Sequence, residues 1–404
     1  MLKLRSQKAG ALFIFITIAL DTIGLGIVIP ILPDVLRRFI TDESHVSQYY
    51  GYFISLYALM QFVASPVLGK LSDRFGRRPV LLVSLFFSAI DYLLMAYAPT
   101  LSILFLGRII SGLTGASITV ATAYIADVST DENRAGNFGL IGAAFGLGFI
   151  LGPAIGGLLG SQNPHYPFIA AALFTALNFI YGSFILPESL PPESRRKKVL
   201  DWKELNPFSS ILKVLESKKI HLLVWAYVLF NMAGQVHPAC WTLFTRRKFG
   251  WTPAQIGISL AVVGVLSAIS QGWLTRIIIP KVGEWRAVKI GAWGEAASFF
   301  LFSIVANGTM MYTVLAVSSL FWIGQPALQS ILTKSTPPEQ QGELQGSLNS
   351  MASVTSIVSP LVATALFSYF SNQQGLQYLG APYAYGALCF LVAALMITRR
   401  SHEV

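Results

Sequence analysis

Charge is what this 404-residue chain has least of. Asp, Glu, Lys and Arg make up 12% of it, against roughly a quarter in a soluble globular protein. So few ionic groups cannot cover a water-facing surface of this size, which excludes a soluble enzyme. Its 54% hydrophobic content and mean hydropathy of +0.60 exclude a disordered chain as well. Cysteine is nearly absent, and Cys240 and Cys389 both lie inside apolar runs. That excludes a disulfide-built scaffold and gives no support to a metal site. Histidine is scarce too: His45, His165, His221, His237 and His402 show no HxxxH spacing, and no CxxC occurs. With no nucleophile–base pair either, an integral-membrane enzyme is the least favoured class. The net charge of +10 could suggest nucleic acid. The basic residues, however, sit in short clusters between long apolar runs, a pattern of membrane topology rather than of a binding face.

What the chain has in abundance is apolar runs of about 20 residues, the length that crosses a bilayer. They fall at 11–33, 48–69, 79–98, 101–123, 136–159 and 166–186, then at 220–244, 254–276, 286–306, 309–332, 345–370 and 381–398. Lys3, Arg5 and Lys8 ahead of the first run imitate a signal peptide. No A-x-A-like cleavage site follows, and the run continues past Asp21 to Pro33, so it reads as a first membrane helix. Pro187–Lys219 is the one long hydrophilic connection and splits the chain six plus six. The expected organisation is an all-α membrane protein, with six-helix bundles over 1–186 and 220–404 and a cytoplasmic linker over 187–219. Lys and Arg are retained on the cytoplasmic side. Only Arg37, Arg38, Arg246, Arg247 and Lys248 fall in outer connections, and Arg108 falls within a run. Both termini are therefore expected inside.

The halves repeat. A shift of 207 places Gly76 on Gly283, Glu132 on Glu339, Gly139 on Gly346 and Pro153 on Pro360. Two six-helix halves with parallel internal symmetry are what a transporter with a solute site near the midplane requires; a chance match of common Gly and Pro is the bland alternative.

An acid near the bilayer centre costs ~2.5–3.5 kcal/mol, so each one needs a reason. Asp21, Asp91 and Glu295 lie deep in the first, third and ninth runs, and Arg108 is the one cation at similar depth. Four charges with one cation cannot all be paired, so at least one carboxyl is expected to carry a proton part of the time. That is the property a proton-coupled carrier needs, while an interhelical hydrogen bond that never titrates is the structural alternative. Gly148, Gly152, Gly156 and Gly160 recur at every fourth residue, beside Gly157 and with Pro153 among them. This gives one helix a face without side chains and a place to bend, for packing or for function. The turn Gly69–Pro79 holds Asp73 among Lys70, Arg74, Arg77 and Arg78. Topology explains the bases; an acid that pairs in one conformation and not in another explains Asp73.

That turn matches the G-x-L-a-D-R-x-G-R-R/K-P hallmark of the major facilitator superfamily. Gly142–Gly157 resembles the helix motif of its drug–proton antiporters. Ser55–Gln61, Asp91-Tyr-Leu-Leu, Leu106–Gly112, Pro164-His-x-Pro-Phe168, Arg247-x-Phe-Gly-Trp251 and Gln325-Pro-Ala-Leu-Gln329 resemble the bacterial tetracycline efflux proteins. The resemblance covers nearly the whole chain. It implies the twelve-helix major facilitator fold and a multi-pass protein of the bacterial inner membrane that exports a tetracycline-like or other amphiphilic drug in exchange for a proton. Carried over, Asp21, Asp91, Glu295 and Arg108 correspond to coupling residues. Asp73, Arg74, Arg77, Arg78, Asp127 and Arg134 correspond to a cytoplasmic charge network that opens and closes with the cycle.

Two positions depart from the family pattern: Glu295 stands where it has Asp, and Ser267 where it has a histidine in the eighth helix. His237, beside Pro238, is either a compensating group or a polar residue at a kink. Gln61, Gln235, Gln271 and Gln325 either line the cavity with Ser267 and His237 or tie helices together. No cofactor or protein-bound metal is expected, the proton gradient is the energy source, and Mg2+ enters only as part of a chelated substrate. The partners implied are a small-molecule substrate, protons and the bilayer, with no nucleic acid, and the chain is expected to be a monomer. Other cargo (a siderophore or metabolite), proton symport, and a non-transporting membrane sensor are the alternatives, since fold analogy alone does not settle cargo.

Overall fold

The computed structural model describes the backbone of residues 2–130, 134–195, 220–337, 340–372 and 378–400, and their side chains apart from residues 2–11, 44, 134, 135 and 194. Within the described residues the apolar windows become twelve helical rods. They are α1 (Leu2–Val28), α2 (Glu43–Phe75), α3 (Arg77–Ala96), α4 (Leu101–Gly115 continued by Ser117–Val128), α5 (Arg134–Gln162) and α6 (Tyr166–Ile185). Then come α7 (His221–Gly234 and Val236–Phe249), α8 (Pro253–Ile269, Ser270–Leu274 and Thr275–Val282) and α9 (Glu284–Ile304). The last are α10 (Gly308–Ser319 and Gly324–Lys334), α11 (Gln341–Asn372) and α12 (Ala381–Arg400). Ten of these are long and apolar enough to cross a membrane. The exceptions are α1, whose described apolar part is Leu12–Val28, and α7, divided at Gln235 into two 14-residue segments. Several rods outrun their apolar windows. The window measures hydrocarbon thickness, whereas the helix continues wherever its backbone hydrogen bonds can be completed.

The 207-residue repeat is present in the backbone. Gly76 (φ +103°, ψ 156°) and Gly283 (φ +82°, ψ 153°) precede α3 and α9 in the same conformation, one that a Cβ disfavours. Thr100 accepts from the Ile103 N–H at 3.4 Å to cap α4, and Asn307 caps α10 through the Met310 N–H at 2.9 Å. Pro153 lies inside α5 and Pro360 inside α11. The Glu132–Glu339 match lies outside the described residues.

The chain forms two compact units. The first comprises the described residues of Met1–Phe39, Leu56–Leu205 and Thr252–Gly264; the second those of Ile40–Ser55, Asn206–Trp251 and Val265–Val404. The core of the first is built by Phe13, Ile14 and Ile18 of α1 with Leu81, Val120, Tyr124, Ile125 and Ala144. There α5 lies against α1 so closely that a Cβ on Gly152 would stand 2.7 Å from the Ile23 carbonyl oxygen. This is the approach that glycines at every fourth residue permit. Gly148 and Gly156 meet α1 likewise, whereas Gly157 faces the Pro253 carbonyl and Gly257 at the start of α8. The second unit has an aromatic core in which Phe230, Phe299 and Phe390 pack edge to face. In it the first turns of α2 meet α11, with the Ser55 hydroxyl donating to the Ile357 carbonyl at 2.7 Å. Of the expected linker, residues 196–219 lie outside the described residues.

Candidate functional site

In the first unit, Asp21 on α1, Asp91 on α3 and Arg108 on α4 converge. Asp91 is buried. Its Oδ2 accepts from the Ser111 hydroxyl, while Oδ1 has no hydrogen-bond partner among the described residues. Oδ1 stands against Gly107, where a Cβ would come within 2.9 Å of it. Asp21 is half-buried and accepts from the Ser117 hydroxyl at 3.5 Å. The Arg108 guanidinium lies over the Tyr57 ring, 4.2 Å from its centroid, and its charge bears on Asp91. A small pocket with a cavity volume of about 20 Å³, room for a water, is lined by Asp21, Leu25, Tyr57, Ser88, Tyr92, Ser111, Gly115 and Ile118. One carboxyl, two phenols and two serine hydroxyls line this opening, with Asp91 joined to it through Ser111. Such groups can hold water and pass protons among themselves because hydroxyls both donate and accept.

Glu295 belongs to the second unit. It is buried on α9, and its Oε1 accepts from the Ser318 hydroxyl of α10 at 3.1 Å. His237 stands on α7 among the rings of Trp241, Phe299, Phe302 and Tyr383. Both its ring nitrogens are buried without a hydrogen-bond partner among the described residues. The amides divide by contact. Gln61 donates to the Gly115 carbonyl at 3.2 Å and Gln235 to Ser356 at 2.8 Å. Gln271, exposed, donates to Ser267 at 2.9 Å, and Gln325 to Asn231 at 3.4 Å. Gln271 sits within the π-helical turn Ser270–Leu274, a local widening that often marks a functional segment. Among the described residues no group of three or more His, Cys, Asp or Glu could hold a metal ion.

The charged turn between α2 and α3 is ordered by Arg77, whose side chain is only 9% exposed. Its guanidinium donates to Ser72, to Asp73 at 2.6 Å and to Asp127 at 3.1 Å. Arg78 donates to the Ser183 carbonyl at 2.7 Å, and Arg74 lies over the ring of Phe75. Arg134 opens α5, but its side chain lies outside the described residues. Sequence reasoning missed Glu188, three residues past the end of α6. Its Oε1 accepts from the backbone N–H groups of Arg77, Ser189 and Leu190 at 2.9, 3.0 and 3.1 Å, and its Oε2 lies 3.8 Å from Arg195. By composition the acid falls within the hydrophilic connection, where an acid costs nothing and carries no signal of its own. Tyr57, Ser88, Tyr92, Ser111 and Ser318 were also missed, since serine and tyrosine in an apolar helix carry no cost large enough to stand out.

A bundle of membrane-crossing helices with internal duplication and buried acids defines a membrane transporter rather than an enzyme. The chain matches the Major Facilitator Superfamily model over residues 14–360 and 247–404 and belongs to that superfamily. It is 40% identical over 383 residues to the tetracycline resistance protein, class C, of Escherichia coli, covering 95% of each chain. It is 37% identical to the class G protein of Vibrio anguillarum, covering 98% of each. A crystal structure of the nucleoside transporter NupG shares the fold, with a TM-score of 0.76 at 15% identity, covering 96% of this chain and 99% of that one.

Proposed function

We propose that the protein is a proton-coupled antiporter of the bacterial inner membrane, with both termini cytoplasmic. It exports a tetracycline-like or other amphiphilic drug by alternating access. The observation that carries this reading is the pocket of the first unit, which brings Asp21 and the Ser111 bound to Asp91 to one opening. Carboxyls held this way in a low-dielectric setting can exchange a proton with water admitted to the pocket and then be closed off from it. The relatives named as tetracycline resistance proteins support drug export as the direction and a tetracycline as the first cargo to try. Mg2+ then travels as part of the cargo, and the protein needs no resident cofactor.

Asp21, Asp91, Arg108 and Glu295 are assigned to coupling. The Arg77-centred turn, with Asp73, Asp127 and Glu188, is assigned to the conformational cycle. Ser267 in place of the family's histidine favours a second reading, in which the cargo is another amphiphilic cation or zwitterion. The test is uptake into energised everted vesicles of tetracycline with Mg2+, ethidium and a panel of other amphiphiles, with and without a protonophore. Protonophore-sensitive uptake supports antiport and identifies the cargo; no proton flux linked to any solute removes it.

A further inference from the structure

The two acids that the reading above assigns to coupling on α3 and α9 are held in one way. Ser111 of α4 donates to Asp91, and Ser318 of α10 donates to Glu295 at 3.1 Å. All four side chains are buried, at 8%, 1%, 0% and 3% exposure in that order. The serines are 207 residues apart, which is the register of the repeat. The acids are not: that shift places Glu295 on Ser88 and Asp91 on Ser298, so each acid position is a serine in the other half. The unoccupied places are satisfied elsewhere. Ser88 donates to Thr114 at 2.8 Å and Ser298 to the Gly294 carbonyl at 2.8 Å. The acid has thus moved by one helical turn between the halves, while the serine that meets it has kept its place.

We propose that Ser111 and Ser318 are positioning residues for proton exchange at Asp91 and Glu295. This rests on the proton-coupled reading. The physical reason is that a hydroxyl both donates and accepts. It donates to the carboxylate, and after the carboxyl takes a proton it accepts from the acid O–H, so one group orients both states. A lysine or arginine in that place would hold only the ionised form.

The test combines two measurements on the purified full chain. The infrared carboxyl band that disappears in D91N should shift in S111A and stay in place in S111T. The E295Q band should respond in the same way to S318A and S318T. In proteoliposomes with an imposed pH gradient and tetracycline with Mg2+ as the probe, S111A and S318A should accumulate about tenfold less than wild type, and the threonine variants close to wild type. Downhill exchange by S111A/D91N should equal that by D91N alone, because the serine acts through the acid. Unshifted bands in both alanine variants, or wild-type accumulation by them, overturn the proposal. If wild type itself accumulates no probe, tetracycline antiport fails while the infrared bands still decide the serines.

Discussion

Glu284 accepts from the Lys334 ammonium at 2.7 Å, and this pair occupies, with its charges exchanged, the positions 207 residues beyond Arg77 and Asp127, themselves joined at 3.1 Å. The two ion pairs share a register and differ in setting. Lys334 is 70% exposed, so its pair is screened and contributes about 0–1 kcal/mol. Arg77 is 9% exposed and is held by three side chains. Replacing Arg77 removes its hydrogen bonds to Asp73 and Asp127, which are 40% and 22% exposed, and a hydrogen bond to a charged group contributes about 1.5–3 kcal/mol. Thermal unfolding in detergent should show R77A far less stable than wild type and K334A nearly unchanged.

The positive-φ glycines at the same register make a second contrast. Both glycines pair a positive φ with ψ near 155°, a region essentially restricted to glycine, so alanine at either position costs about 1–3 kcal/mol of backbone strain. A Cβ at Gly283 meets nothing within 4 Å, whereas at Gly76 it runs into the Glu188 carboxylate that holds the Arg77 N–H. G76A should therefore lower the melting temperature more than G283A and slow transport as well. Equal shifts would show that Glu188 yields freely.

How much of this was legible depends on what each feature costs. Asp21, Asp91 and Glu295 stood out because an acid in an apolar run is expensive. Ser111 and Ser318 did not, because a helical serine can satisfy itself on its own backbone, as Ser298 does on Gly294. The helix windows followed from hydropathy. Pro238 beside His237 pointed to a kink in α7, which breaks three residues earlier at Gln235. The π turn at Ser270–Leu274 was not legible, because it does not change the hydropathy of its run. Glu188 was hidden by its place in a polar connection, since only the fold brings it to Arg77.

Tyr57 supports Arg108 through its ring, and a half-buried cation–π contact of this kind is worth about 1–2 kcal/mol. Tyr57→Phe keeps the ring face and should keep transport within about twofold. Tyr57→Leu should reduce transport about tenfold, with normal insertion checked by expression and gel filtration. Equal activity of the two variants would remove the ring from the account.

His237 tests the opposite case. Its buried nitrogens find no hydrogen-bond partner among the described residues, and replacing an unsatisfied polar group by an apolar one of similar shape is nearly neutral or stabilising. His237→Phe should melt at or above the wild-type temperature and still transport. A loss of coupled uptake with an unchanged melting temperature would assign the imidazole a role in transport.

The central claim is that buried carboxyls couple solute export to proton entry. One inward proton yields about 2.3 kcal/mol per 100 mV, which sustains roughly a fiftyfold solute gradient. The direct measurement is accumulation of tetracycline with Mg2+ in proteoliposomes under an imposed pH gradient and membrane potential, for wild type, D21N, D91N, E295Q and E295D. The account predicts protonophore-sensitive accumulation by wild type, measurable accumulation by E295D, and none by D21N, D91N or E295Q, although these three still exchange solute downhill. Accumulation by D21N, D91N and E295Q equal to wild type would contradict it.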